Sequence, residues 1–156
     1  MRLVMSIVGV VLAAGCNLSG RWLEGSSAGK IIESAILWDA KLDETWIPVD
    51  MAALVKDRDQ FEPQGNFFKV RGELVVFGHR ATYVGMLGVG DLPGPNATLS
   101  GSPRSIAGYL SRYHGARFSK ESGAYLWERK KDIKIIIIEH PEIPGSAIVI
   151  GAYTGP

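Results

Sequence analysis

An α+β fold built mainly on an antiparallel sheet of about six to eight strands, with one main helix and one short helix, is the fold class this sequence predicts. Three observations lead there. Nineteen glycines and eight prolines in 156 residues impose many turns. Short β-branched runs recur between those turns. One segment, about 103–114, repeats its apolar residues at helical spacing. The length suits a single domain, and 46% hydrophobic against 21% charged residues is a globular balance. Lys and Arg number 17 against 16 acidic residues. That near-neutrality gives no support to a broad phosphate-neutralising face, so no nucleic-acid partner is expected.

The elements follow in order. Lys30–Trp38 (KIIESAILW) is an apolar, β-branched run and reads as the first strand. A charged turn, Asp39–Glu44, leads to a short second strand at Thr45–Val49. Asp50 can cap the short helix over Met51–Arg58. Pro63, Gly65 and Asn66 break the chain. Asn66–Val70, Glu73–Phe77 and Ala81–Gly88, joined at Arg71-Gly72 and Gly78-His79-Arg80, read as an antiparallel meander. Asp91–Ser102 (DLPGPNATLSGS) is the densest turn signal, where Pro and Gly oppose strand pairing, and reads as a rigid crossover.

Ser102 before Pro103 is a strong helix start. Ile106, Ala107, Leu110 and Tyr113 then form one apolar face, and Gly115 ends the helix. The remainder reads as Arg117–Phe118 with Ala124–Arg129, then Ile133–Glu139, then Ala147–Tyr153, with turns at Lys131-Asp132 and Pro141–Gly145. Four consecutive isoleucines, Ile135 to Ile138, predict a strand covered on both faces at the centre of the sheet.

The N-terminus has a different character. Arg2 precedes an almost wholly apolar run, Leu3–Ala14. Fourteen residues as a helix reach about 21 Å, short of the ~30 Å bilayer core. A basic start, an apolar stretch and small residues at its end describe a secretory signal peptide. Leu12-Ala13-Ala14-Gly15-Cys16 resembles the lipobox of bacterial lipoproteins. One departure is that Ala13 stands where the family most often has Leu, with Leu12 one place earlier.

The resemblance implies that residues 1–15 are a cleaved signal and that Cys16 starts the mature chain. It also implies diacylglyceryl on the thiol and an amide-linked acyl chain, such as palmitate, on the freed amine. Asn17, where enterobacterial members use Asp for inner-membrane retention, implies the outer membrane, facing the periplasm or the surface. Cys16 is the single cysteine. A thioether there removes a free thiol from an oxidising compartment, and two or three acyl chains hold a membrane where one would not. Residues 16–29 then read as the lipidated cysteine with a Gly/Ser-rich tether, and 30–156 as one globular strand-rich domain.

The chemistry-bearing patterns are sparse. Gly25-Ser26-Ser27-Ala28-Gly29 has the letters of G-x-S-x-G, but neither the strand before it nor the helix after it that a nucleophile elbow needs is read here. His79, His114 and His140 are the only imidazoles, and no metal-ligand framework surrounds any of them. No catalytic residue, metal or cofactor is assigned. Ser102, Arg104 and Ser105 form the candidate anion-binding group, at a helix start. Arg129-Lys130-Lys131 with Lys134 is a basic cluster that could face anionic headgroups or simply protect a hairpin tip.

The expected function is a non-enzymatic envelope lipoprotein, held by its lipid and binding an envelope protein or cell-wall component as a binding or assembly accessory. A phage- or toxin-exclusion (immunity) lipoprotein is a narrower form of it. Two other classes compete. One is an anchored hydrolase or carbohydrate-active enzyme using Glu139 or Glu142 near His140, which requires a pocket beside that histidine and two carboxyl groups across it. The other is a carrier holding a small ligand within the curled sheet.

Overall fold

The computed structural model describes residues 27–39, 59–65, 67–85 and 94–155. Its elements are α1 (Ala28–Ile36), β1 (Phe61–Gln64), β2 (Phe67–Val70), β3 (Val75–Val76), β4 (His79–Gly85), β5 (Asn96–Ser100), α2 (Pro103–His114), β6 (Ser119–Glu121), β7 (Ala124–Lys130), β8 (Ile133–Glu139) and β9 (Ser146–Tyr153). Every pairing is antiparallel. The strand order is β1-β2-β4-β5-β9-β8-β7-β6, with the two-residue β3 on β4. The α+β class with a mainly antiparallel sheet therefore holds, and the described sheet has nine strands rather than six to eight. The expected strand at Thr45–Val49 and helix at 51–58 lie outside the described residues.

The first element is a correction. Residues 28–36 form a helix, not a strand. Two-residue alternation would put Glu33 between Ile31 and Ala35 on one face, and Ser34 between Ile32 and Ile36 on the other. Neither face is clean. At helical spacing Ile31, Ile32, Ala35 and Ile36 share one buried stripe. Ser27 caps the helix, its Oγ accepting from the Lys30 amide at 3.3 Å. The C-terminus closes as a Schellman turn, in which the Trp38 and Asp39 amides donate to the Ala35 and Ser34 carbonyls.

Trp38 occupies the left-handed position of that turn at φ 55°, where glycine is usual. That conformation costs a bulky residue on the order of 1–3 kcal/mol. Its indole offsets the cost: Nε1 donates to the Gly151 carbonyl at 2.9 Å, and the ring lies 5.8 Å from that of Tyr153.

The second helix is Pro103–His114, as the sequence predicts. Ser102 Oγ accepts from the Ser105 amide at 3.2 Å, and Gly115 takes φ 67° at the C-cap. Ile106, Ala107 and Leu110 are buried. Tyr113, placed on the apolar face by its spacing, is exposed instead.

Both helices pack on one face of the sheet. There Ile135 and Ile137 of β8, Val149 of β9, Leu99 of β5 and Val84 of β4 join Ile36 and Leu110 in a single hydrophobic cluster. β8 alternates strictly: Ile133, Ile135 and Ile137 are buried, while Ile136 and Ile138 are only half-buried. The strands covered on both faces are β5 and β9, neighbours at the centre of the order. The four-isoleucine run thus does not mark the centre. Four similar residues in a row hide the alternation that burial reveals.

Two further segments differ from expectation. Phe61–Gln64 is a strand despite Pro63, which sits at the edge of the described sheet, where no described strand needs its missing amide. Asn96–Ser100, inside the stretch read as a crossover, is the central strand β5. Pro95 precedes it and supplies only its carbonyl, which accepts from the Gly151 amide at 2.8 Å. The tight connection before β4 is at Phe77-Gly78, both with positive φ, and His79 and Arg80 already belong to the strand.

α1 approaches β9 closely because Gly151 has no side chain. A Cβ there would overlap the Ile36 carbonyl oxygen. Gly151→Ala is therefore expected to destabilise the fold by ~1–3 kcal/mol. Gly108→Ala, on the exposed side of α2 with open space around it, is expected to stabilise by ~0.5–1 kcal/mol. Denaturant midpoints of the two variants check both signs.

Candidate functional site

The face opposite the helices carries the site, and its residues are set by register. One row across the sheet runs Gln64, Phe67, Gly85, Asn96, Ile150. The next runs Lys69, Tyr83, Thr98, Ile148. A β-bulge between Ala81 and Tyr83 makes this possible. The extra residue lets Ala81 and Val84 both enter the core while Tyr83 turns to the opposite face beside Thr98.

These rows and the β8–β9 turn enclose an open cleft of about 250 Å³. Phe67, Tyr83, Ile143 and Ile148 give it apolar walls, and Gln64, Asn96, Thr98, His140 and Glu142 give it polar ones. Asn96 is only 1% exposed. Its carboxamide lies across Gly85, where a Cβ would overlap it, and Nδ2 donates to the Gly94 carbonyl at 3.1 Å. His140 is held by its own turn. Nδ1 accepts from the amides of Glu142 and Ile143 at 3.1 and 3.0 Å. An accepting Nδ1 places the ring proton on Nε2.

The histidine–carboxylate reading has its pocket, since His140 is half-buried beside the cleft. Glu142 is the one carboxylate among the described residues lining it, and Glu139 at the end of β8 is not part of the wall. Among the described residues, the cleft therefore presents one carboxylate where that hydrolytic geometry uses two. Among the described residues, no group of three His, Cys, Asp or Glu could hold a metal ion.

Cys16 lies outside the described residues. At the candidate anion-binding group, Ser102 Oγ serves the helix cap, Ser105 Oγ donates to the Ser102 carbonyl at 2.9 Å, and the Arg104 side chain is exposed. His79 stands against this cap: Nδ1 donates to the Phe77 carbonyl at 2.6 Å, and Nε2 faces Ser105 Oγ at 3.2 Å. The G-x-S-x-G letters are followed by a helix after all, but Ser27 Oγ is its cap.

The basic cluster is largely engaged within the fold. A bulge between Glu128 and Lys130 turns two successive basic residues toward the end of α1. Arg129 donates to the Leu37 carbonyl at 3.0 Å and pairs with Asp39 at 2.9 Å. Lys130 reaches the Trp38 carbonyl and the same carboxylate. Cations at a helix C-terminus complement its dipole. Lys134 faces Glu128 at 3.9 Å, which leaves Lys131 exposed at the hairpin tip.

One polar residue that sequence reasoning passed over is Glu33. It is buried, with Oε1 accepting from the Phe77 amide at 2.8 Å and Oε2 paired with Lys30 at 2.8 Å. Nearby, His114 meets the Phe77 ring edge-on. Desolvation holds its imidazole below the ordinary 6.5, against an opposing pull from Glu33.

In comparisons with known proteins, no family model, no curated protein and no solved structure matches the chain.

Two outcomes are expected around α1 and α2. Glu33→Ala leaves the Phe77 amide buried without its acceptor and should cost ~1–3 kcal/mol. Glu33→Gln keeps an acceptor and should cost less, as read from urea midpoints. His114 titrates lower in the folded than in the unfolded chain, so the unfolded chain binds its proton first on acidification. Its contribution to stability is full above pH 6.5 and is lost as pH falls through the folded value. Unfolding measured from pH 7.5 to 5 should show a smaller stability loss in His114→Phe than in the parent.

Proposed function

We propose that the protein is a lipid-anchored component of the bacterial cell envelope, a non-enzymatic binding or assembly accessory whose partner is an envelope protein or cell-wall component. The observation that carries this reading is the lone cysteine. Cys16 stands immediately after a basic start, an apolar run and three small residues, Ala13, Ala14 and Gly15. Each feature has a physical role: a run too short to span, an accessible cleavage point, and a thiol that lipid both uses and protects.

The near-balance of charge supports a partner other than nucleic acid. Removal of residues 1–15 takes Arg2 with it and brings acidic and basic side chains level. A cleft with mixed polar and aromatic walls and, among the described residues, a single carboxylate supports binding over hydrolysis. Asn17 supports the outer membrane as the destination.

Mass spectrometry of membrane-extracted protein is expected to give a mature chain that begins at an acylated Cys16. Cys16→Ala should leave the signal uncleaved by the lipoprotein pathway and shift the protein out of the lipid-anchored fraction. An intact Met1 terminus on soluble protein would overturn the reading.

A further inference from the structure

We propose that the cleft bounded by Phe67, Tyr83, Asn96, Thr98, His140 and Glu142 is a binding site for a neutral glycan, taking one pyranose ring of a longer chain. The proposal deepens the envelope-binding reading by naming the chemistry of its partner, and it is tested apart from the lipid anchor.

The wall chemistry selects the ligand. Among the described residues the lining holds no lysine or arginine, Lys69 standing on the same face beside Tyr83 but outside the wall; this disfavours phosphate and carboxylate ligands, since anion sites supply cationic donors at the wall. A fatty chain is disfavoured because it would cover the polar groups of Gln64, Thr98, His140 and Glu142 with methylenes, at the cost of their hydration. A metal is disfavoured because, among the described residues, one carboxylate and one histidine line the cleft. What remains is a small, uncharged, polyhydroxylated group. At about 250 Å³ the cleft is slightly smaller than the ~300–1,000 Å³ of a drug-sized pocket, in keeping with one ring rather than an extended molecule. Its open side allows a chain to continue beyond that ring.

The polar groups are suited to such a ring. Gln64 offers an exposed carboxamide, with both a donor and an acceptor, beside the buried carboxamide of Asn96. Tyr83 and Thr98 add hydroxyls, and Glu142 adds an acceptor. Among the described residues, none of the hydroxyls of Tyr83 and Thr98, the carboxamide of Gln64 and Nε2 of His140 has a hydrogen bond within the protein. The apolar face of a pyranose can lie on Phe67 or Tyr83, whose rings stand on neighbouring strands in adjacent rows. The site is also ordered in advance. Asn96 is pinned to Gly94, and His140 is fixed by two backbone amides so that Nε2–H is its remaining donor. Such preorganisation reduces the entropy lost on binding.

Calorimetric titration of the full chain in detergent with the N-acetylglucosamine trimer tests the proposal, with maltotriose, inorganic phosphate and laurate in parallel. Saturable binding of either sugar is expected, with no binding of phosphate or laurate. Gln64 is exposed on the edge strand, so Gln64→Ala spares the core, and Thr98→Val keeps the volume of the side chain. Each should weaken sugar binding about tenfold while far-UV circular dichroism and the thermal midpoint stay those of the parent. Cys16→Ala should leave the sugar affinity unchanged. Absence of saturable binding by both sugars would overturn the proposal. So would sugar affinity equal to the parent's in both folded cleft variants, or phosphate or laurate binding that those variants abolish. A glycan-binding protein with a non-acylated Cys16 would instead overturn the anchor and leave the cleft standing.

Discussion

The close seat of α1 on β9 and on the turn before β4 is the constraint on which the rest of the fold depends. A helix backbone can touch a sheet only where the sheet has no side chain, and Gly151 supplies that gap beneath the Ile36 carbonyl. Gly29 does the same at the other end of α1, against the Val75 carbonyl. Between them Glu33 passes its carboxylate into the core, where the Phe77 amide and Lys30 satisfy it. A buried charge without such partners would cost several kcal/mol. The helix, the β3–β4 turn and the central strand are thereby tied into one unit, and Trp38 closes it through the Gly151 carbonyl.

Two β-bulges then distribute chemistry between the faces. One sits in β4 and sends Tyr83 away from the helices. The other sits in β7 and brings Arg129 and Lys130 to the C-terminal end of α1, against Asp39 and the last carbonyls. A strict two-residue alternation would separate neighbours that these bulges place together. The same device thus builds a polar cleft on one face and neutralises a helix end on the other. Residues that look like a basic surface patch in the sequence are, in large part, a helix cap.

The legibility of the sequence varied with how local each determinant was. The bounds and caps of α2 are readable because Ser102, Pro103 and Gly115 act through their own backbone angles and hydrogen bonds. β8, the Lys131-Asp132 turn and the 141–145 turn were readable for the same reason. α1 reads as a strand in the sequence because β-branched isoleucines favour extended chain, whereas its cap and its stripe favour helix. β5 was hidden by the Pro and Gly around it, and its strand state comes from ladders on both sides, with β4 and β9. Of the site, His140 and Glu142 drew attention through their spacing. Gln64, Phe67, Asn96 and Thr98 carried no signal, since ordinary polar and aromatic residues acquire meaning only from their neighbours.

By itself the sequence determined the antiparallel α+β class, the second helix and its caps, the C-terminal turns, and the lipobox-like segment around Cys16. Each of these rests on short-range chemistry, on backbone angles, caps and periodicity within one stretch of chain. The tertiary structure decided which strand is central, that residues 28–36 are helical, where Arg129 and Lys130 point, and that residues from β1, β2, β4, β5, β9 and the 140–143 turn share a cleft. These depend on register between strands far apart in the chain. Register is set by the summed burial of both partners, a quantity no single segment contains.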